Sequence, residues 1–369
     1  MGDEVNRLRV GVVGAGQISG QYLTYLPKLD NVAVTAIADL DADRAAEAAA
    51  RVAGARATDP ARLYAADDVD LVLNLTIPAA HAEVAQAAIA AGKHVYGEKP
   101  LANSTAEARA LLKAADEAGV LVGCAPDTVL GTGVQTARAV LDAGEIGTPL
   151  AASAFMVTPG HERWHPAPEF YYRPGGGPLF DMGPYYLTAL ITLLGPVERV
   201  VGMSSTPRSS RVIGSGPRAG TAFAVEVATH VTGVLEHEDG ALSTLIMSFD
   251  VWQGALPRIE VYGMDGSLSV PDPNGFAGEV RIFRAEAKEW DPVPERGGYR
   301  DAARGCGVGD LARALGQGSA HRAHGRLAYH VLDVMESLLT AASSGESVHV
   351  ASTCDRPAAV PAGARVEEH

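Results

Sequence analysis

The first third of the chain alternates short apolar runs with alanine-rich amphipathic stretches. This alternation is typical of strand–helix–strand units, which build a parallel sheet. It predicts strands over residues 9–13, 32–38, 70–76 and 93–96, and helices over residues 41–52, 81–91 and 105–118. Asn103-Ser104-Thr105, with Glu107 or Ala108 beyond it, is typical of a helix start and precedes the last of these helices.

The pattern changes near residue 150, where longer β-rich runs follow one another. They cover residues 151–158, 197–204, 222–236, 241–251 and 258–262, with helical stretches over residues 181–194 and 327–342. Turns such as Glu238-Asp239-Gly240 join neighbouring runs, which is typical of antiparallel pairing. We therefore predict an α/β protein of two domains: residues 1–126 with a parallel sheet, and residues 127–369 as an α+β domain with a mainly antiparallel sheet. Residues 207–220 are expected to form a mobile surface loop.

Length and composition agree with two globular domains. Of 369 residues, 47% are hydrophobic and 20% are charged, which fits neither a disordered chain nor a fibre. The net charge of -14 repels a phosphate backbone, and no basic run offsets it. Nucleic acid is therefore not an expected partner.

Membranes and oxidising compartments are not expected either. No apolar stretch reaches about 18 residues, and the first residues include acids where a signal peptide needs bases. Cys124, Cys306 and Cys354 are far apart and form no CxxC pair, which argues against a disulfide framework and a zinc knuckle. The expected location is the cytoplasm.

Residues 14–19 read GAGQIS and join the first predicted strand to the next helix. There, Gly14 permits a tight turn, Gly16 lets the backbone approach a pyrophosphate, and the helix start offers N–H groups to the anion. Ser19 takes the third glycine position and is small enough for close packing of helix on strand. A plain tight turn is the alternative, but the strand–helix–strand context favours a dinucleotide site. The expected cofactor contacts here are Gly14, Gly16, Gln17 and Ile18.

An acidic residue, Asp39, ends the second predicted strand, 39 − 16 = 23 residues beyond Gly16. A carboxylate there accepts hydrogen bonds from ribose hydroxyls and repels the extra phosphate of NADP. Leu40 offers no compensating cation, so NAD is the predicted cofactor and NADP is less favoured, although Arg44 could fold back and reduce this preference. The alternative for Asp39 is the N-cap of the next helix.

Gly97-Glu98-Lys99-Pro100 ends the fourth predicted strand, and here the chain closely resembles the glucose-fructose oxidoreductase / inositol dehydrogenase family (Gfo/Idh/MocA). Other motifs carry the resemblance along almost the whole chain: the GAG turn, Thr76-Ile77-Pro78 with His81, Gly144-Glu145-Ile146-Gly147, Gly175-Gly176-Gly177 and Asp181-Met182-Gly183-Pro184-Tyr185. The resemblance implies a Rossmann dinucleotide-binding domain followed by an α+β domain with a large open, mainly antiparallel sheet. It also implies a homodimer or homotetramer formed through that sheet.

Lys99 is the first candidate catalytic residue. A lysine at the carboxyl end of a parallel strand points into the crevice where open α/β sheets bind ligands. Its cation polarises a hydroxyl and lowers the pKa of a neighbouring acid–base group. The resemblance implies that Lys99 contacts substrate and cofactor, and that the bond before Pro100 is cis. It likewise implies cofactor contacts from Thr76, Pro78, His81, Glu98 and Lys99.

Tyr185 and Asp181 are the other catalytic candidates. Most family members show Asp-x-Gly-x-His, whereas Tyr185 takes the histidine position here, as in the glucose-fructose oxidoreductase and sugar dehydrogenase branches. Helical spacing puts both residues on one face and Pro184 in the first turn. Because the pKa of tyrosine is about 10, Tyr185 needs a cation such as Lys99 to accept a proton from a substrate hydroxyl. The alternatives are a packed aromatic for Tyr185 and an N-cap for Asp181.

The predicted substrate wall consists of residues 160–165 together with Tyr171-Tyr172 and Asp127-Thr128. Its aromatic and hydrogen-bonding side chains suit sugars, which combine apolar C–H patches with polar hydroxyls. The expected substrate contacts are Lys99, Asp127, His161, Trp164, His165, Asp181 and Tyr185. The histidines lack HExxH spacing and the family chemistry needs no metal, so no metal site is predicted. For each residue of the wall, an ordinary surface or packing role remains open.

These features predict an NAD(P)-dependent oxidoreductase that transfers hydride between nicotinamide and a secondary hydroxyl or ketone of a sugar, inositol or related cyclic polyol. Two rivals remain: a sugar-sensing regulator that binds dinucleotide without turnover, and an NAD-dependent glycosidase in which the hydride returns to the sugar. Retention of Lys99 and Tyr185 speaks against the regulator. The carboxylates of Asp127, Glu162 and Asp181 predict that uncharged polyols outrank sugar phosphates, an argument weakened by Arg163 and Arg173.

Overall fold

The computed structural model describes residues 7–366, which form two compact units. The first unit contains the described residues up to Thr132, Arg296–Tyr329 and the described residues from Pro357 onward. The second contains Gly133–Glu295 and His330–Arg356. Each unit is thus discontinuous in sequence, which differs from the single boundary after residue 126 that we predicted. No helix in residues 7–366 is long and apolar enough to cross a membrane.

The sheet of the first unit is entirely parallel. Its strands are β1 (Leu8–Val13), β2 (Val32–Ala38), β3 (Arg56–Thr58), β4 (Leu71–Asn74), β5 (His94–Gly97) and β6 (Val122–Cys124). Their order across the sheet, β3-β2-β1-β4-β5-β6, is that of doubly wound dinucleotide-binding domains. The four predicted strands are confirmed, whereas the pattern did not predict the short strands β3 and β6.

Helices join these strands and begin at side-chain caps where the sequence offers them. They are α1 (Ser19–Tyr25), α2 (Ala42–Ala50), α3 (Pro60–Tyr64), α4 (His81–Ala90) and α5 (Thr105–Ala118). Helix α5 follows Ser104, whose Oγ accepts the N–H of Glu107 at 3.2 Å, so the predicted helix start is confirmed and its N-cap is Ser104. Asp41 caps α2 in the same way.

The second unit is built on a mixed sheet in which one pair, β7 with β12, is parallel and the other pairs are antiparallel. Its chain region holds β7 (Pro149–Val157), β8 (Val197–Ser205), β9 (Ser210–Val212), β10 (Ala222–Ala224), β11 (His230–His237), β12 (Leu242–Ser248), β13 (Ile259–Gly263), β14 (Gly266–Val270), β15 (Val280–Arg284), β16 (Asp291–Val293) and β17 (Val348–His349). The order is β16-β15-β14-β13-β7-β12-β11-β8-β17, while β9 and β10 pair separately. The predicted large, mainly antiparallel sheet is confirmed.

The remaining helices are α6 (Thr132–Asp142), α7 (Gly177–Leu194), α8 (Cys306–Gln317) and α9 (Gly325–Ser344). Helix α7 packs on β7, β11 and β12. On the same face, the Leu338 side chain of α9 lies so close to Gly202 and Gly233 that a Cβ at either glycine would come within 2.6 Å of it. These helices therefore cover one face of the sheet.

Three local predictions were wrong. Helix α7 begins at Gly177, so Pro184 lies inside the helix and not in its first turn. Residues 222–236 do not form one strand, because the chain leaves the β9–β10 pair at Ala224 and enters the large sheet only at His230. Residues 207–220 contain strand β9, and Arg211 within it is buried.

The later segments of the first unit are joined to its sheet by buried polar contacts. Asn31 Nδ2 donates to the carbonyl of Gly309 at 3.0 Å, at the sheet side of α8. The backbone N–H of Cys124, in β6, donates to the carbonyl of Ala323 at 2.9 Å. Arg322 Nε donates to the carbonyl of Ala358 at 2.9 Å. Residues from three distant parts of the sequence are thus needed to complete this unit.

Candidate functional site

The turn after β1 has the geometry that close approach to an anion requires. Gly14 has φ +101°, and a Cβ there would lie 2.7 Å from the backbone of Leu75. Only glycine fits both conditions. At Gly16 a Cβ would meet nothing within 4 Å, so the backbone faces open space there.

The N–H groups of this turn are available to a ligand. Within residues 7–366, those of Gly16, Gln17 and Ile18 meet no hydrogen-bond acceptor. Ser19 is buried and its Oγ donates to the carbonyl of Gly16 at 2.7 Å, which confirms its packing role. Because N–H groups at such a turn bind phosphate oxygens, the turn fits the pyrophosphate of a dinucleotide.

Asp39 follows β2 at the same carboxyl edge of the sheet. Its Oδ2 accepts the N–H of Ala15 at 2.8 Å, and its Oδ1 accepts the N–H of Asp41 and an Arg44 guanidinium N–H, each at 2.9 Å. Burial opposes ionisation, but these N–H groups and the Arg44 charge outweigh it and lower the pKa of Asp39. The residue is therefore a carboxylate at neutral pH, tied to the glycine turn. Its N-cap alternative is wrong, since Asp41 caps α2.

The loops after β4 and β5 are held together by two side chains that face inward. Asn74 accepts from Thr76 Oγ1 at 2.6 Å and donates to the carbonyl of His81 at 3.0 Å. The His81 ring is buried, with Nδ1 2.7 Å from the carbonyl of Pro100 and Nε2 3.1 Å from that of Thr76. Burial lowers the pKa of His81 despite these carbonyls. Thr76 and Pro78 remain near the surface, whereas His81 positions the loops and offers no ring nitrogen to a cofactor.

Glu98 and Lys99 follow β5. Glu98 is buried, and its carboxylate accepts from Tyr22 Oη at 2.8 Å and from the N–H of Lys99 at 3.1 Å. Glu98 therefore orients the backbone at Lys99, and both of its oxygens are engaged by the protein. The Lys99–Pro100 bond is cis, which confirms that expectation.

Asp127 does not lie where a substrate contact was expected. Its side chain is fully buried, and Oδ2 accepts the N–H groups of Gly305 and Gly307 at 2.8 and 3.0 Å. Burial raises the pKa of Asp127, and these two N–H groups partly offset the effect. The Asp127 carboxylate thus binds backbone N–H groups at the start of α8, inside the first unit. A substrate role for Asp127 is therefore not supported.

In the second unit, His161 and Asp181 form a hydrogen-bonded pair. His161 lies in the 3₁₀ turn His161–Arg163 after β7, Asp181 lies on α7, and His161 Nε2 is 2.8 Å from Asp181 Oδ2. Because Nε2 faces a carboxylate oxygen, it carries the proton. The His161 Nδ1 is buried and has no partner among the described residues. The carboxylate is therefore oriented by an imidazole from another element.

Aromatic rings surround His161. Ring centroids lie 4.4 Å away for Phe249, 4.6 Å for Tyr171 and 5.2 Å for Trp164. The His165 ring lies 5.6 Å from Tyr171 and 5.4 Å from Trp164. The predicted substrate contacts His161, Trp164, His165 and Asp181 thus come together, in an arrangement suited to a ligand with apolar and polar faces.

A buried ionic cluster, which the sequence reasoning missed, supports this wall. We call Arg211, Glu162 and Asp250 the Arg211 cluster. The Arg211 side chain is 1% exposed, donates to Glu162 at 2.8 Å and also pairs with Asp250. Tyr172 donates to Glu162, and Thr229 donates to Asp250 at 2.5 Å. Since Glu162 adjoins His161, the cluster fixes the turn that presents His161. The only trace of the cluster in the sequence was the triplet Ser210-Arg211-Val212, which lies in a stretch with the composition of a loop.

Tyr185 lies on α7, one turn beyond Asp181, and is buried. The face it shares with Thr188 and Thr192 is buried too, and Thr192 Oγ1 donates to the carbonyl of Thr188 at 2.7 Å.

Trp252, which the sequence reasoning also missed, lies in the loop after β12 with the Arg163 guanidinium 4.4 Å from its ring centroid. In residues 7–366 no group of three or more His, Cys, Asp or Glu side chains is arranged to hold a metal ion.

Known proteins resemble both units. Inositol 2-dehydrogenase 3 of Saccharopolyspora erythraea is 29% identical over 77% of this chain and 79% of its own length. The 1,5-anhydro-D-fructose reductase of Ensifer adhaerens is 30% identical over 70% of this chain and 74% of its own. The crystal structure of an NAD binding oxidoreductase from Klebsiella pneumoniae has the same fold, with a TM-score of 0.79, 23% identity, and coverage of 94% of this chain and 99% of that one.

Two family models match the chain in order. Residues 8–125 match the oxidoreductase family with an NAD-binding Rossmann fold, and residues 134–269 match the GFO/IDH/MocA C-terminal domain. The expected family is confirmed, because these matches span most of the chain and agree with the relatives over more than two thirds of their length. The chain belongs to the GFO/IDH/MocA family of oxidoreductases.

Proposed function

We propose that this chain is an NAD-dependent oxidoreductase that interconverts a secondary hydroxyl and a ketone on a sugar, inositol or related cyclic polyol. One observation carries the cofactor assignment: the open Gly16 backbone lies beside the Asp39 carboxylate at one edge of a parallel sheet. Relatives named inositol 2-dehydrogenase 3 and 1,5-anhydro-D-fructose reductase support the substrate class.

The residues of the first unit are suited to hold the dinucleotide. The N–H groups of Gly16, Gln17 and Ile18 bind its pyrophosphate, and Asp39 accepts from the ribose hydroxyls. Thr76 and Pro78 border it at the end of β4. When bound, NAD accepts a hydride from the carbon that carries the reacting hydroxyl.

Three side chains carry the acid–base chemistry in this proposal. Tyr185 accepts the proton of the hydroxyl, and the Lys99 cation stabilises the alkoxide that develops. Asp181, oriented by His161, accepts a hydrogen bond from a neighbouring hydroxyl and so fixes the ring. In the reductive direction Tyr185 returns the proton to the carbinol oxygen.

The substrate wall in this proposal consists of His161, Trp164, His165 and Asp181. Its rings suit the C–H faces of a pyranose or cyclitol, and its nitrogens and oxygens suit the hydroxyls. Two of the three carboxylates on which a preference for uncharged substrates rested are used elsewhere, because Asp127 is buried under α8 and Glu162 is paired with Arg211. Charge therefore gives little discrimination against anionic sugars.

We propose further that the chain forms a homodimer or homotetramer in the cytoplasm through the uncovered face of the large sheet. On that face Val201, Met203, Val234 and Leu242 are exposed, and Met203 is 74% exposed. The strand register puts Val201 beside Val234 and Met203 beside Thr232, so the exposed apolar side chains form a strip that is bordered by polar ones. Such a strip on a sheet face is typical of a self-association surface.

The test is a panel of monosaccharides, inositols and their ketones with NAD and NADP, followed by the absorbance of the reduced nicotinamide. We expect at least one cyclic polyol to give steady accumulation of NADH. A glycosidase cycle would cleave a glycoside without net NADH, and a sensor would bind NAD and sugar with no turnover at all. Either result would reject the proposed reaction.

A further inference from the structure

Two of the three tryptophans of this chain are exposed, and both lie near the His161–Asp181 pair. Trp164 is 57% and Trp252 is 63% exposed. An indole has a large apolar surface that is mostly buried in folded proteins, so exposed indoles on one surface indicate a ligand that covers them.

Trp252 belongs to the same surface as His161. The Phe249 ring packs on His161 with centroids 4.4 Å apart, and Trp252 follows three residues later, at most about 10 Å of chain. From the other side, Arg163 ends the 3₁₀ turn that His161 begins, and its guanidinium lies over the Trp252 ring at 4.4 Å. The two elements that present His161 therefore also present Trp252.

Arg163 gives this surface a polar edge. Its side chain is exposed, and no carboxylate pairs with it within the described part of the chain. The contact with Trp252 holds the Arg163 guanidinium beside the indole, and a guanidinium carries five N–H donors. The result is an indole with hydrogen-bond donors at its border, next to the predicted position of the reacting ring.

We propose that Trp252 and Arg163 form a second carbohydrate subsite, which holds the ring linked by a glycosidic bond to the ring that reacts. The C–H face of this second ring covers the Trp252 indole, and its hydroxyls accept from Arg163. A single ring held by His161 and Asp181 leaves Trp252 in water, whereas a disaccharide covers both surfaces. The inference rests on the proposed function and narrows its substrate to a glycoside.

The experiment compares matched substrates in the full-length protein: a methyl glycoside and a disaccharide that share the reacting ring, with NAD. Trp252→Ala should lower kcat/KM for the disaccharide about tenfold, which corresponds to roughly 60 Å² of apolar surface left in water. The same change should alter kcat/KM for the methyl glycoside less than threefold. Arg163→Ala should shift the ratio in the same direction, and Trp252→Phe should largely restore it.

Met264→Ala, another exposed apolar change in the second unit, serves as the control and should leave the ratio unchanged. Equal effects of Trp252→Ala on both substrates, or a change of oligomeric state in place of a change of ratio, would overturn the subsite. If no sugar is oxidised, the proposed function fails, and calorimetric titration still tests the subsite. Tighter binding of the disaccharide than of the methyl glycoside, lost in Trp252→Ala, supports it, and equal binding overturns it.

Discussion

The Arg44 guanidinium lies 2.9 Å from the Asp39 carboxylate, at the position where the 2′-hydroxyl of an adenosine ribose is expected. Both residues follow β2, and the second Asp39 oxygen accepts the N–H of Ala15 in the glycine turn. The carboxylate that disfavours a 2′-phosphate thus has a cation beside it. Arg44 is itself more than half exposed, so it can turn from Asp39 to a phosphate at little cost.

This pair determines the expected cofactor preference. Wild type should use NAD with a higher kcat/KM than NADP, because Asp39 repels the additional phosphate. Asp39→Ser should improve NADP use about 10- to 100-fold, since the repulsion is removed and Arg44 is released. Asp39→Ser combined with Arg44→Ala should lose that gain. Steady-state kinetics with both cofactors check this, and wild type that uses NADP equally well would contradict it.

Tyr185→Phe tests the proposed proton acceptor, because it keeps the ring and removes only the hydroxyl. We expect kcat to fall by about 10²–10⁴ while the KM for NAD stays nearly constant. Tyr186→Phe, at the next position of α7, is the matched control and should retain turnover. Near-normal activity of Tyr185→Phe together with loss of activity in Asp181→Asn or His161→Asn would assign the proton transfer to the His161–Asp181 pair. Lys99→Met should lower kcat and also weaken substrate binding.

The Arg211 cluster should be essential for the stability of the second unit. Arg211→Met leaves Glu162 and Asp250 as unpaired carboxylates in a buried place, and such a loss costs about 3–5 kcal/mol. Arg218→Met removes an ion pair with Glu169 in which the arginine side chain is 52% exposed, and it should cost at most about 1 kcal/mol. Urea denaturation followed by tryptophan fluorescence compares the two. Similar midpoints would mean that the Arg211 cluster contributes no more than a surface pair.

Because of His330, we expect the free energy of unfolding to decrease in acid. Its Nε2 accepts the N–H of Val197 at 3.0 Å, which requires a neutral ring, and burial lowers its pKa to about 4 from 6.5. Since the unfolded chain takes up this proton first, the contribution of His330 is complete above pH 6.5 and is lost as the pH falls through 4, up to about 3 kcal/mol.

The test is the free energy of unfolding of His330→Gln as a function of pH. The glutamine oxygen still accepts from Val197 but does not titrate, so stability should depend less on pH between 6.5 and 4. His349→Gln, an exposed histidine of the same unit, should keep the slope of wild type. An unchanged slope in His330→Gln would show that other groups cause the acid sensitivity.

Met203→Glu tests the proposed assembly. A charge in the middle of the apolar strip on the uncovered sheet face should dissociate the oligomer, which light scattering coupled to gel filtration measures directly. Arg208→Glu, on the exposed turn before β9, introduces the same charge away from the strip and should not. A monomeric wild type would contradict the proposal at once.

Local sequence patterns were sufficient where one periodicity dominated a whole element. Strand β2 and helix α5 have the predicted bounds, because Val32–Ala38 is apolar except for Thr35 and α5 carries both a cap and an amphipathic face. The pattern could not show that Arg211 is buried, since its two carboxylate partners lie 49 and 39 residues away in the sequence. Composition alone gave that segment the appearance of a loop.

The residues of the candidate sites, too, could be predicted only where their partners lie nearby in the sequence. Gly14, Gly16 and Asp39 form a local motif, so their geometry followed from spacing. Asp127 carried the right chemistry, but its partners at Gly305 and Gly307 lie about half the chain away. Trp252 lay in a loop without periodicity, and its connection to the predicted wall is visible only in the structure, through the contacts of Arg163 with Trp252 and of Phe249 with His161.

The first unit cannot be completed early in synthesis. A ribosome releases the strands β1–β6 first, but Asn31, Cys124 and Arg322 bond to carbonyls at positions 309, 323 and 358, which emerge only after strands β7–β16 of the second unit. Until then the nascent parallel sheet has part of its buried edge exposed to water and to other chains. The second unit needs residues 330–356 for its own completion, so both units stay incomplete until the chain has emerged to about residue 358, and chaperones are expected to hold the amino-terminal half for most of synthesis.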